Sequence, residues 1–234
     1  MINKALKHIR QGTTIRVAYK SFIGDRKRKI ITGYKQDLYN ISRYGWTAPR
    51  FAERIWIDPN SCNTFLTADV ITKVCGKLPR NASGLVLKSS WPFDQAMQIT
   101  DHPKIKYAID HWVNGTSWEN TGAYEYMEKL IEHKNRVDGC ENIDDIVRRY
   151  KELDLIFEQI KKEGRMKTRK EIVNSNFREM DGVLIHIGID GKPFFGAGGC
   201  HRFVIAHILQ IPIPAQIGCV HISAIPYLEE YRKG

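Results

Sequence analysis

Residues 196–203 read GAGGCHRF, and behind three glycines Cys200, His201 and Arg202 place a thiol, an imidazole and a guanidinium in consecutive positions. Two chemistries use such a string. In the first, the cysteine is a nucleophile. A thiol at a helix N-terminus beside Arg and His drops from about 8.5 to about 3.5–7.5 in pKa and gains thiolate character. In the second, the string cradles a phosphate. A glycine-rich turn that feeds a helix aims several backbone N–H groups at one point, and the helix dipole adds roughly half a positive charge there. Gly198 and Gly199 admit the positive φ and the close approach that such a nest requires. Arg202 can grip phosphate oxygens through two N–H groups, and His201 adds a donor. Cys200 then contributes a backbone N–H and a small side chain. The cradle is the adopted reading, because Arg202 and the glycine spacing explain the string without a thiolate. A plain tight turn, with Arg202 in solvent, is the remaining alternative.

Other residues bear on the same chemistry. Lys167 and Arg169 are candidates to neutralise phosphate charge, with solvated loop positions as the alternative. A catalytic carboxylate is open among Asp145, Glu152, Glu163 and Glu179. His186 alternates within a strand and His207 lies in a helix, so both read as structural, whereas His221 ends a strand that can face the site. Trp91, Trp112 and Trp118 read as packing groups. No protein metal cluster is visible, so a Mg²⁺ ion would sit on substrate phosphates and water. The five cysteines are odd in number and far apart, with no CxxC pair, which fits reduced thiols in a cytoplasmic protein.

The elements that must position this string are legible around it. GVLIHIGI (182–189) reads as a strand, Asp190-Gly191 as a hairpin turn and KPFFG (192–196) as the returning strand. A helix follows from about Cys200 to Gln210, then a last strand over 213–221. Upstream, Ile143, Ile146, Val147, Tyr150, Leu153, Ile156, Phe157 and Ile160 keep helical spacing between Asn142 and Gly164. Tyr124, Met127, Leu130 and Ile131 mark another helix. A third is capped by Asp101 and buries Ile105, Ala108, Ile109, Trp112 and Val113. RIWIDP (54–59) and GLVLKSSW (84–91) read as strands, as do TIRVAYK (14–20) and KIITGYK (29–35) around a basic turn.

Charge divides the chain. Residues 1–50 hold 12 Lys or Arg against two acids and so carry the whole net charge of +10, while the other 184 residues hold 24 of each sign. Such asymmetry points to a polyanion, with Arg26, Lys27, Arg28 and Lys29 as the candidate DNA or RNA contacts; a solvated surface is the alternative. No apolar run approaches the ~18 residues of a membrane span, and the N-terminus lacks the apolar centre of a secretory signal.

The string GKPFFGAGGCHRFVIAHILQIPIPAQI resembles the core of the ParB/sulfiredoxin superfamily, whose members carry a Gly-x-His-Arg type of box at a strand–turn–helix junction. GGCHR is similar, letter for letter, to the sulfiredoxin motif. The resemblance covers about residues 144–221. It implies an α+β fold with a small mixed sheet, in which residues 51–234 form a nucleotide-binding domain with a helical insertion at about 91–140. Residues 1–50 would be a basic, β-rich N-terminal region outside it. It further implies that Gly198, Gly199, Cys200, His201 and Arg202 bind the phosphates of ATP or another nucleoside triphosphate. The expected function is phosphate transfer or hydrolysis, on an acceptor such as a small hydroxyl compound. The alternative is a ParB-like DNA-binding protein or nuclease, although no helix-turn-helix reader is evident. Sulfiredoxin-like thiol catalysis at Cys200 is a third expectation.

Overall fold

A computed structural model describes residues 24–89 and 91–233. One strand organises the backbone. β7 (Ile213–His221) pairs antiparallel with β1 (Arg54–Ile57) and parallel with β5 (Val183–Ile187); its far end pairs parallel with β3 (Val86–Leu87). β5 turns into β6 (Pro193–Phe195), which runs parallel to β2 (Thr64–Phe65), and β2 pairs antiparallel with β4 (Met97–Gln98). The result is a seven-stranded mixed sheet in an α+β protein. Every residue of β5 is buried, as is β7 up to its last residue, because both faces of the sheet are covered. Ile185, Ile187, Phe195 and Ile217 contribute to one core with Ile105, Met127, Ile146, Leu153 and Phe203 from the helices. Phe194, Cys219 and Trp91 pack on Ile71 in a separate cluster.

The predicted helices form where the spacing placed them. α5 (Ile143–Glu163) starts at Asn142, whose side chain accepts from the Asp145 N–H, and stops at Gly164 with φ +65°. α4 is Ala123–Lys134 and α7 is Cys200–Leu209. α3 (Pro103–Trp112) differs in detail. Its N-cap is His102, not Asp101, and Val113 lies past its end and is exposed. Short helices complete the chain: α2 (Ala68–Cys75), α6 (Arg169–Ile172) and α8 (Leu228–Arg232). Among the described residues, no helix is long and apolar enough to cross a membrane.

Two strand expectations are corrected. In 84–91, only Val86 and Leu87 pair as strand. The basic region is not β-rich where it is described: 29–35 belongs to a helix, α1, over 24–44, while 14–20 lies outside the described residues. The reason is in the buried face of α1. Its inward positions are Gly33, Asp37 and Asn40, spaced by three and four residues but not apolar. Asp37 accepts from the Phe51 N–H at 2.6 Å and pairs with Arg178 at 2.8 Å. Asn40 donates to the carbonyls of Pro49 and Gly84. Phe51 lies where a Cβ on Gly33 would be. A helix whose most buried positions are a glycine and two hydrogen-bonded polar residues, with Ile30 and Tyr34 as its apolar contacts, leaves only a broken apolar stripe to read.

Candidate functional site

The glycine turn is held from both sides by one residue of β5. Gly196 donates its N–H to the Leu184 carbonyl at 2.8 Å, and the Leu184 N–H donates to the Gly198 carbonyl at 2.9 Å. Between these anchors Ala197 takes φ +52°; Gly199 follows with φ +78° and becomes the N-cap of α7. At Gly199 the left-handed backbone favours glycine, and an added Cβ would stand 3.1 Å from the Val183 Cα. At Gly198 a Cβ would stand 3.0 Å from an Nη atom of Arg80, so its absence lets that guanidinium lie across the turn. Among the described residues, none of the backbone N–H groups from Ala197 to Arg202 finds an acceptor. These consecutive donors, at the positive end of a ten-residue helix, are an anion nest.

Cationic side chains collect around the nest from four parts of the chain. Arg202 donates one Nη to the Lys167 carbonyl, yet its Nε and other Nη are shut from water with no partner among the described residues. The Arg169 Nε is in the same condition. Arg80 donates to the Gly182 carbonyl and to Gln216 Oε1, each at 3.0 Å. On the other side of α7, Lys104 from α3 pairs with Asp138. Burial lowers the pKa of Arg202, an effect that Glu179 opposes and Arg169 adds to. Buried, orphaned guanidinium donors are costly unless something satisfies them.

Glu179 is the acid of this group and is buried. Its Oε1 accepts from the Arg169 N–H at 2.9 Å, while its Oε2 is buried without a partner among the described residues. Burial raises its pKa above the ordinary glutamate value, against the pull of Arg202, Arg54 and Arg169. The other carboxylates considered from the sequence do different work. Asp145 sits at the start of α5 on the Glu141 N–H and Arg148, Glu152 pairs with Arg149, and Glu163 meets Gln159 and Lys167. The structure therefore separates Glu179 from the rest.

Cys200 occupies the first position of α7. Its thiol lies 3.5 Å from the Ala197 carbonyl and 3.6 Å from Nε2 of His102. Burial pushes its pKa up to about 11, against the pull of Lys104. This shift runs opposite to the lowering that the nucleophile reading supposes. His201 turns away from the turn and meets the Tyr150 ring edge-on at 5.9 Å. Burial holds its pKa down to about 4, with Lys104 the next cause, and its Nε2 has no partner among the described residues.

Several expectations change place. The Lys167 side chain pairs with Glu163 at 3.0 Å, so Lys167 meets Arg202 through its backbone carbonyl rather than lending charge. Arg169 is brought to the site. His221 is not: it caps the next turn through Ser223, six residues beyond Ala215 along β7, or about 20 Å away at ~3.3 Å per residue. His186 is fully buried, and His207 stacks on Phe203 within α7. Trp112 and Trp118 both donate to Asp154, and Trp91 packs on Phe194. Of the four basic candidates on α1, Arg26 is turned inward to Asn176 and Asp181, and Arg28 pairs with Asp25. Lys27 and Lys29 remain exposed. Reading the sequence missed Arg80, His102, Lys104 and Asp138. No local signal marks them, because each arrives through topology from a separate segment.

Among the described residues no group of three or more metal-ligating side chains occurs. Comparison with family models, curated proteins and solved structures finds no match for this chain.

Proposed function

We propose that this protein binds a nucleoside triphosphate through its phosphates at the glycine turn and transfers or hydrolyses the terminal one, as a protein of the ParB/sulfiredoxin kind. The observation that carries the reading is a convergence. The backbone N–H groups of residues 197–202 lack acceptors among the described residues, Arg202 carries unpartnered donors from the first turn of the same helix, and Arg169 and Glu179 lie close enough to Arg202 to shift its pKa. A phosphate satisfies several such donors at once, and Arg202 supplies the planar fork that suits its oxygens. The residues thus fit a triphosphate, which supplies the transferable phosphoryl group. A Mg²⁺ ion would ride on the substrate phosphates and water, which leaves Glu179 Oε2 free of metal.

Within that reading Arg202, Arg169 and Arg80 hold the phosphates and offset charge on the moving group. Glu179 accepts the proton of the attacking hydroxyl, a role that suits a carboxylate whose pKa is raised toward neutrality. The test is Arg202→Ala, which is expected to weaken ATP binding by about 1.5–3 kcal/mol, the range for hydrogen bonds to charged groups. Calorimetry showing unchanged affinity in the folded variant would sink the cradle.

Cys200 fills a slot in this scheme. Cys200→Ser keeps the size and the backbone donor, so ATP affinity and phosphate release are expected to stay within about twofold of the parent. A Cys200→Ser protein that binds ATP normally and has lost turnover, or a covalent adduct mapped to Cys200, would restore the thiol-nucleophile reading. A second reading, nonspecific contact with DNA or RNA, has the exposed Lys27, Lys29, Lys35 and Arg43 of α1 in its favour.

A further inference from the structure

We propose that the cleft between α1 and the turn at Pro79–Ala82 is a second ligand site, and that it takes a small phosphomonoester whose hydroxyl accepts the phosphate held at the glycine turn. The identification as acceptor rests on the phosphate reading above. The cleft has a volume of about 770 Å³, within the range of small-molecule sites. Lys29 comes from α1 and Lys77 from the opposite wall; neither makes an ion pair among the described residues. The acids at the rim are already engaged, Asp25 by Arg28 and Asp181 by Arg26. Phe51 and Met180 give an apolar floor. Two exposed lysines facing a space with neutralised acids suit a phosphate as point charges.

Arg80 joins this cleft to the glycine turn. It lines the cleft, and one Nη lies against the missing side chain of Gly198. An acceptor seated in the cleft therefore lies beside the nest, with the Arg80 guanidinium bordering both. The cleft is also closed at both ends of its helical wall. Arg26 crosses to Asn176 and Asp181 at one end, and Gln36 donates to the Ser83 carbonyl at 2.8 Å at the other. Such cross-links bracket a small ligand and block the continuous path that a nucleic-acid strand needs. In the transfer, the acceptor oxygen forms a bond to the terminal phosphorus. The bond to the bridging oxygen breaks, and the nucleoside diphosphate leaves with that electron pair. The acceptor's proton goes to Glu179, the residue before Met180 and Asp181 of the cleft wall and the base of the reading above.

The experiment titrates glycerol 3-phosphate and ribose 5-phosphate into the full chain by calorimetry, first without nucleotide. At least one probe is expected to bind, and a Lys29→Glu/Lys77→Glu double variant is expected to lose about tenfold or more in affinity. ATP affinity in that variant is expected to stay within about threefold, and circular dichroism to be unchanged. No binding of either probe at millimolar concentration overturns the proposal. So does a parallel loss of ATP affinity, which would make the cleft part of the nucleotide's own pocket. Tighter, equally charge-sensitive binding of a single-stranded oligonucleotide also overturns it. Failure of the nucleotide reading shows separately, as absence of ATP binding to the parent, while the probe titration without nucleotide still decides whether the cleft binds phosphomonoesters.

Discussion

Acidification from pH 8 to pH 4 is expected to remove on the order of 6 kcal/mol of folding stability through the buried His186 and the half-buried His201. His186 lies on β5, fully buried, and burial holds its pKa down to about 3. Its ring meets the Cys219 N–H at 3.0 Å, the Cys219 thiol at 3.2 Å and the backbones of two glycines, Gly196 and Gly218. His201 is held down to about 4. In the unfolded chain both titrate near pH 6.5. Between that value and the folded values the unfolded chain binds more protons. The stabilisation is therefore complete above pH 6.5 and is lost as the pH falls toward 4. Each histidine accounts for about 3 kcal/mol at pH 4, against a total stability of about 5–15 kcal/mol for a typical domain. His102, also lowered by burial, acts in the same direction. Urea unfolding at pH 7.5, 6, 5 and 4 measures the slope. His186→Gln and His201→Gln are each expected to remove about half of it. Parallel curves for all three proteins would assign acid unfolding to carboxylates instead.

Glu179→Gln is expected to lower turnover by about 10²–10⁴-fold, the usual contribution of a general base. The amide keeps the shape and the hydrogen bond from the Arg169 N–H, so ATP affinity is expected to change by only a few fold. The pH profile carries a second signature. Glu179 must be ionised to take a proton, and burial raises its pKa. The parent's rate should therefore fall on acidification at a pH above the ordinary glutamate value, and that limb should vanish in Glu179→Gln. Single-turnover phosphate release and calorimetry separate the two effects. Unchanged turnover in the variant would return the base to the other carboxylates.

The contrast between α5 and α1 shows what makes an element legible. Residues 143–163 bury Ile146, Tyr150, Leu153 and Phe157 at helical spacing, and Asn142 and Gly164 punctuate the ends. Hydrophobic burial and capping are local in sequence, so they leave a periodic trace. α1 buries Gly33, Asp37 and Asn40, whose partners Phe51, Arg178 and Gly84 stand 14 to 141 residues away in the chain. A polar face satisfied by distant groups carries only a broken hydrophobic period, and the isoleucines at 30 and 31 with Tyr34 then imitate a strand.

The sequence by itself determined the glycine turn, its place between a hairpin and a helix, and the presence of Arg202 at the helix start, because turn chemistry, hairpin signals and helix periodicity act over a few residues. Only the tertiary structure decided the chemistry around that turn. It buried Glu179 beside Arg169 while Asp145, Glu152 and Glu163 found partners elsewhere, and drew Arg80 across Gly198 from more than a hundred residues away. It also set the half-buried Cys200 against His102, where desolvation raises the pKa of the thiol. Desolvation and charge coupling depend on which atoms surround a group in space, and strand pairing around β7 sets those neighbours, not adjacency along the chain.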